Sequence, residues 1–375
     1  MSPKVTIIGN QAFSLWNFRG PLIRALVERG HEVWALAPDY DPETWKAIEA
    51  LGAKPLNYRL SRTGLNPIKD LLDFLRLFLL LRKLRPDKTL AYAIKPVIYG
   101  TLAAWLSRVP RRYAMIEGLG YAFIISGQKE PLKRRFLRWV AKTLYRLALP
   151  KATLVFFLNR DDLKEFVEGG LVPKEKVFLL GPIGVDLEHF SPAPPVKDPV
   201  TFLLAARLLR EKGIVEFVEA AKRVKEKHPN TRFVLLGGLD TNPGAIRKEE
   251  VERWVKEGLV EWPGHVSDVR PWLSQASVFV LPSYREGFPR TIQEAMAMAR
   301  PVITTDAPGC RETVIPGVNG FLVPPRDVEA LASAMERFVL EPELIERMGR
   351  ESRRIAEERF DVHKINEVLL REMGL

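Results

Sequence analysis

Short apolar runs recur along the chain, each followed by a turn and a stretch whose apolar positions fall at helical spacing. In the first half the runs are KVTIIG, HEVWALAP, TLAYAI, YAMIEG and TLVFFLN. They are continuous rather than alternating, as expected of strands covered on both faces, and their alternation with helices predicts parallel sheets between helical layers. The pattern halts at SPAPPVKDP, residues 191–199, where the density of proline marks the best candidate for a linker. It restarts with VTFLLAA, RFVLLGG, LVEWPG, SVFVLPS, PVITT and GFLVPP. The expected fold class is α/β, with two doubly wound domains, residues 1–190 and 200–358, joined by that linker and facing each other across a cleft.

Ligands of such open sheets bind beyond the carboxyl ends of the strands, so chemistry is sought in the loops there. The most informative is in LPSYREGFPRTIQEAMAMARPVITTD, where Glu286 and Glu294 stand eight positions apart. The run 277–283 reads as a buried strand, Tyr284 to Phe288 as a loop, and Pro289 as the entry to a helix from about Arg290 to Ala299 that stops before Pro301. A helix N-terminus at the end of a loop is receptive to an anion such as a diphosphate. Ionised glutamates beside it are pure acceptors, suited to sugar hydroxyls. The implied ligand has an anionic centre and polyol ends, as a nucleotide sugar does. Two solvated surface glutamates are the plain alternative, and the strand–loop–helix setting weighs against it.

This stretch resembles the signature of retaining glycosyltransferase family 4. The resemblance extends over nearly the whole chain and implies the GT-B fold, two Rossmann-like domains with a closing helix, here within 359–375, that crosses back to the first. It implies that Glu286 contacts the donor sugar and Glu294 the ribose, with a donor-binding set that includes Gly287, Phe288, Pro289, Arg290, Thr291 and His265. Many members have glycine where this chain has Pro289, so a sugar contact from that backbone N–H is lost here. Arg207 and Lys212 follow the strand VTFLLAA; a bidentate fork and a point charge together suit a diphosphate, and the resemblance assigns them to that of the donor.

The first strand lacks GxGxxG spacing, which removes the main support for an NAD-linked dehydrogenase. Ser14, Asn17 and Arg19 instead approach a helix start, Lys95 follows a third strand, and Glu117, Gly118, Gly120 and Tyr121 follow a fourth. These stretches resemble a branch of the family that adds N-acetylhexosamines to polyprenyl-diphosphate-linked saccharides. The resemblance implies acceptor binding by Asn17, Arg19, Lys95, Gly120 and Tyr121, retention by front-face attack, and a UDP-sugar donor used as substrate, with no cofactor. Many relatives have a histidine in the first domain near the reacting carbon. This chain has none between His31 and His189, and Glu117 occupies the nearest suitable loop, as an orienting group, a base or a purely structural carboxylate.

Charge sharpens the picture. Of the net +11, residues 1–180 hold 30 Lys and Arg against 16 Asp and Glu, so the first half carries all of the excess. Such a half could face nucleic acid, an anionic membrane or a phosphorylated substrate. The stretch 129–150 interleaves Lys133, Arg134, Arg138, Lys142 and Arg146 with Phe136, Leu137, Trp139, Val140, Leu144 and Leu147, as an interfacial helix does. A second apolar stretch, 67–86, is interrupted by Asp73 and Arg76 and is too short to span a bilayer, so it reads as a buried or surface-lying helix. Core helices with solvated basic faces are the alternative for both. The expected partners are a UDP-sugar, a polyprenyl-diphosphate saccharide and an anionic membrane surface met through the first domain, with no nucleic acid.

Asp39 and Asp41 form a DxD, a pattern that holds a divalent ion elsewhere, but here they precede a helix where a turn or cap role is commonplace. No metal site is expected. One cysteine, Cys310, excludes an internal disulfide, and the first strand follows the initiator almost directly; a cytoplasmic protein, peripheral on the membrane, is expected. Two alternatives remain open at this point. One is an epimerase acting on UDP-N-acetylhexosamine with the same fold, and the other is a noncatalytic nucleic-acid-binding protein suggested by the high pI.

Overall fold

The structure, a computed structural model, describes residues 2–61, 66–120, 123–124, 131–242 and 244–375. It divides into two compact units, residues 1–181 with 363–375, and residues 182–362.

The strands of the first unit are β1 (Lys4–Ile8), β2 (Glu32–Ala37), β3 (Lys54–Asn57), β4 (Lys88–Tyr92), β5 (Arg111–Ile116), β6 (Leu154–Phe157) and β7 (Val177–Leu179). They form one sheet in the order β3-β2-β1-β4-β5-β6-β7, every pair parallel. The central strands are buried almost throughout, because their continuous apolar runs are covered by helices on both faces. β3 and β7, not anticipated from the apolar pattern, are short edge strands. The order reverses between β1 and β4, so the loops after these two strands part and leave a crevice. Two helices follow β1, Ala12–Asn17 and Gly20–Glu28. Pro21, which has no N–H to give to a continuing helix, opens the second. The last helix, Val362–Glu372, leads into this unit, where Lys88 Nζ donates to the Met373 and Gly374 carbonyls at 2.7 and 2.6 Å and Tyr113 Oη donates to Met373 at 2.9 Å.

The second unit contains β8 (Thr201–Ala205), β9 (Arg232–Leu236), β10 (Glu261–Gly264), β11 (Val278–Leu281), β12 (Val302–Thr305) and β13 (Gly320–Val323) in the order β10-β9-β8-β11-β12-β13, again all parallel. Its switch point lies between β8 and β11. The proline-rich stretch 191–199 belongs to this unit and is not free between the two. The buried Arg300 holds it, Nη2 donating to the carbonyls of Ala193 and Pro194 at 2.9 and 3.2 Å while Nε donates to that of Leu273 at 2.7 Å. Burial alone lowers the Arg300 guanidinium to about 10. The stretch has no regular secondary structure, and its tertiary anchor at Arg300 is invisible to composition.

Candidate active site

The second unit gathers its candidate side chains at the β8/β11 switch point. β8 and β11 are neighbours in the sheet, so the loops that follow them adjoin although they are far apart in sequence. Lys212 lies in the loop after β8 and Glu286 in the loop after β11, and their side chains form an ion pair with Nζ 2.5 Å from Oε1. Both are largely but not fully buried, and Ser283 Oγ donates to the same carboxylate oxygen at 2.6 Å. The Ser283 hydroxyl was visible in the sequence only as a strand ending. Its role emerges when the loop folds back on itself.

Backbone contacts hold this loop on both sides. The Tyr284 N–H donates to the Glu211 carbonyl at 2.9 Å, and the Glu286 N–H to that of Pro308 at 3.0 Å. Gly213 packs so closely that a Cβ would stand 2.1 Å from the Pro282 carbonyl oxygen, and its φ of +74° is one glycine favours. Gly309 fits as closely against the carbonyls of Glu286 and Gly287. Tyr284, in the same loop, donates its hydroxyl to Glu216 on the helix Ile214–Lys227, with the Arg326 guanidinium 4.3 Å over its ring. Glu216 has no local sequence signal, since its partner lies 68 positions away.

Pro289 caps the helix Arg290–Ala297, whose positive end adjoins the loop. Glu294 is buried one turn into it, and Arg290 Nε stands 2.9 Å from Glu294 Oε1. Burial raises the Glu294 carboxyl above the ordinary glutamate range, Arg290 partly opposing this. Phe288 is buried and Thr291 half-buried at the same helix entrance. Gln293, which the sequence did not single out, is fully buried and accepts from the Gly184 N–H at 3.0 Å. Arg207, more exposed, pairs with Asp240 at 3.1 Å. His265 is exposed and lies beside Gly238, whose added Cβ would meet the His265 Cβ at 3.5 Å. Cys310 is buried behind Glu286, its thiol pushed up to about 12 by burial and by that carboxylate.

In the first unit the candidates surround the β1/β4 switch point. Arg19 is buried, ion-paired with Glu117, and its guanidinium lies 4.9 Å from the centre of the Tyr92 ring. Tyr92 shares a 2.8 Å hydrogen bond with Ser14, and burial holds its phenol up at about 12. Ala93, just after β4, has a φ of +69°, a conformation costly for any residue with a Cβ. Lys95 is paired with the buried Asp70 at 2.7 Å. Asn17 is half-buried at the end of its helix, and Gly120 adopts φ +67°. Tyr121 lies outside the described residues. The DxD carboxylates have structural partners: Asp39 accepts from the Ala12 N–H at 2.7 Å, and Asp41 caps the helix Pro42–Ala50 through Thr44.

Residues 17–182 match the "Glycosyl transferase 4-like domain" and residues 199–341 "Glycosyl transferases group 1". The Campylobacter jejuni N,N'-diacetylbacillosaminyl-diphospho-undecaprenol alpha-1,3-N-acetylgalactosaminyltransferase is 31% identical over 91% of this chain and 90% of its own. The Escherichia coli UDP-Gal:alpha-D-GlcNAc-diphosphoundecaprenol alpha-1,3-galactosyltransferase is 28% identical over 72% of this chain and 70% of its own. Among solved structures, Anabaena Alr3699/HepE in complex with UDP superposes with a TM-score of 0.76 at 19% identity, covering 99% of each chain. Sucrose-phosphate synthase from Thermosynechococcus elongatus gives 0.78, also at 19% identity and 99% of each chain. The fold is GT-B, and the epimerase and nucleic-acid-binding alternatives give way. With both sheets accounted for and a relative aligned along nearly its whole length, the chain belongs to the group 1, family 4-like glycosyltransferases.

Proposed function

We propose that this glycosyltransferase moves an N-acetylhexosamine, GalNAc or GlcNAc, from UDP to a polyprenyl-diphosphate-linked saccharide at a membrane surface, with retention of configuration and without a metal ion. The observation that carries the reading is the Lys212–Glu286 pair beside the entrance of the helix that bears Glu294. Before the donor arrives the two charges satisfy each other. A UDP-sugar offers each a better-suited partner: a diphosphate for Lys212 and Arg207, and sugar hydroxyls for Glu286. Glu294, as a buried acceptor, suits the ribose. Gly287, Phe288, Pro289, Arg290 and Thr291 shape the pocket around the sugar and diphosphate, and His265 borders the base.

The leaving group needs charge stabilisation more than it needs a covalent helper. Lys212, Arg207 and the positive end of the helix Arg290–Ala297 supply it as the bond to the diphosphate lengthens. That phosphate then accepts the proton of the attacking hydroxyl on the same face of the sugar. Glu117, engaged by Arg19, orients the acceptor, while Arg19, Lys95, Asn17, Gly120 and Tyr121 receive its diphosphate and first sugar. Metal independence is supported by the structural engagement of Asp39 and Asp41. Support for the lipid-linked acceptor comes from the two relatives named for such substrates, and for UDP from one of these and from the Anabaena structure.

The test is to incubate the protein with UDP-GalNAc or UDP-GlcNAc and a polyprenyl-diphosphate saccharide, then examine the lipid product by mass spectrometry and NMR. A gain of one N-acetylhexosamine in α-linkage is expected. No gain from either donor, with a hexose gained when UDP-Glc or UDP-Gal is supplied instead, would reject the donor, and a β-linkage would reject retention.

A further inference from the structure

The helix Pro67–Leu84 is apolar on two faces. Its carboxylates face the protein, Asp70 and Asp73 being 3% and 4% exposed, while Ile68, Leu72, Leu75 and Leu79 stand outward at 75%, 47%, 44% and 62%. Those four recur at intervals of four, three and four, so they form one continuous ridge along a single helix face. A helix of a water-soluble domain places its apolar stripe on the core; this one sets Leu77 and Leu81 in the core, with Phe74, Phe78 and Leu80 packed against it, and turns a second apolar stripe outward. Buried ionic ties fix the orientation. Asp70 is held by Lys95 at 2.7 Å and by the Tyr99 hydroxyl at 3.4 Å, and Asp73 accepts from the Ser61 N–H at 3.1 Å.

A second ridge lies on the helix Leu132–Ala148, where Leu132, Phe136 and Trp139 are exposed at intervals of four and three and the two rings stack at 6.0 Å. Both helices pack against the same short segment, Pro96–Gly100, so the two lie near each other in the first unit. Exposed Lys69, Arg76, Arg82 and Lys83 flank the first ridge, and Lys133, Arg135 and Arg146 accompany the second. Among the described residues no helix is long and apolar enough to cross a membrane.

We propose that these two ridges together form a docking surface for an anionic lipid bilayer, with the leucines and aromatics entering the interface and the basic residues meeting the headgroups. Leucine ridges edged by cations match the chemistry of an interfacial helix, and the positive flanks select anionic lipid over a second copy of the same positive surface. The inference rests on the proposed function for its purpose alone: it brings the leaflet that carries a lipid-linked acceptor to the helix whose Asp70 holds Lys95.

Cosedimentation of the full chain with phosphatidylcholine vesicles, with and without phosphatidylglycerol, tests it and needs neither donor nor acceptor. Binding is expected only with phosphatidylglycerol, weakened by salt. The variant Leu72→Gln/Leu75→Gln/Leu79→Gln should bind about 100-fold more weakly, as should Phe136→Gln/Trp139→Gln to a lesser degree, with unchanged circular dichroism. Arg76→Glu/Lys83→Glu should lower binding at least about ten-fold at low salt. Absence of wild-type binding, equal binding by all variants, or a lipid-independent dimer that the leucine variant dissolves would each overturn the proposal. A chain that binds vesicles but transfers no sugar would uphold this surface and reject the proposed reaction.

Discussion

Lys212 Nζ lies 2.5 Å from Glu286 Oε1, although 74 positions separate the two residues in sequence. The pairing comes from adjacent parallel strands, β8 and β11, whose carboxyl ends bring their following loops together. Removal of Lys212 by Lys212→Ala should lower kcat about 10²–10³-fold, the scale of losing one preorganised charge-stabilising group. Since each residue restrains the other, Lys212→Ala/Glu286→Ala should lose less than the product of the single losses, with a coupling of about 0.5–3 kcal/mol. Steady-state kinetics of the four proteins measures this; strictly multiplicative losses would mean the pair is incidental.

Burial raises the Glu294 carboxyl, so the folded protein holds that proton more tightly than the unfolded chain. Its contribution to stability is therefore present at low pH and withdrawn as pH rises through the raised value. Donor binding has the opposite sign, because only the ionised carboxylate accepts from both ribose hydroxyls. UDP affinity should rise with pH through a window just above the ordinary glutamate range, and Glu294→Gln should flatten that rise. Calorimetric titration of both proteins across mildly acidic pH checks it. An equally steep rise in the variant would assign the titration to another group.

Gly213 and Gly258 share a positive φ, +74° and +70°, but only Gly213 is in close contact. Alanine at either site carries strain of about 1–3 kcal/mol. Gly213→Ala must in addition displace the Pro282 carbonyl and, with it, the loop that bears Glu286. Urea unfolding should rank Gly213→Ala as clearly more destabilising than Gly258→Ala, and only the former should weaken UDP binding. Equal effects would show that the loop moves freely.

Asp41 acts as a helix cap here. Asp41→Ala should lower stability through loss of the cap and leave transfer unchanged, and activity should survive exhaustive chelation. Thermal unfolding and an assay after treatment with EDTA measure the two effects. Loss of activity on chelation, restored by a divalent ion, would contradict the metal-free reading.

The buried strands and the helix entrance at Pro289 were legible because continuous apolar runs and proline act locally. β3 and β7 were not, because an edge strand lacks a neighbour on one side and needs no fully apolar run; β3 even contains Pro55. The charges of the site could be listed from sequence but not paired. Nothing near Lys95 announces Asp70, nothing near Tyr284 announces Glu216, and Arg19 meets Glu117 only after β1, β4 and β5 assemble. The apolar stretch 67–86 showed its composition but not its orientation. Which face turns outward was decided by the inward ties of Asp70 and Asp73.

The most direct test of the account is UDP release by the purified protein with a panel of UDP-sugars, with and without a polyprenyl-diphosphate saccharide, for wild type and Glu286→Ala. The account predicts release that requires one donor and the lipid-linked acceptor together and is lost in the variant. Release that is indifferent to the acceptor, or that persists at wild-type rate in Glu286→Ala, would contradict it.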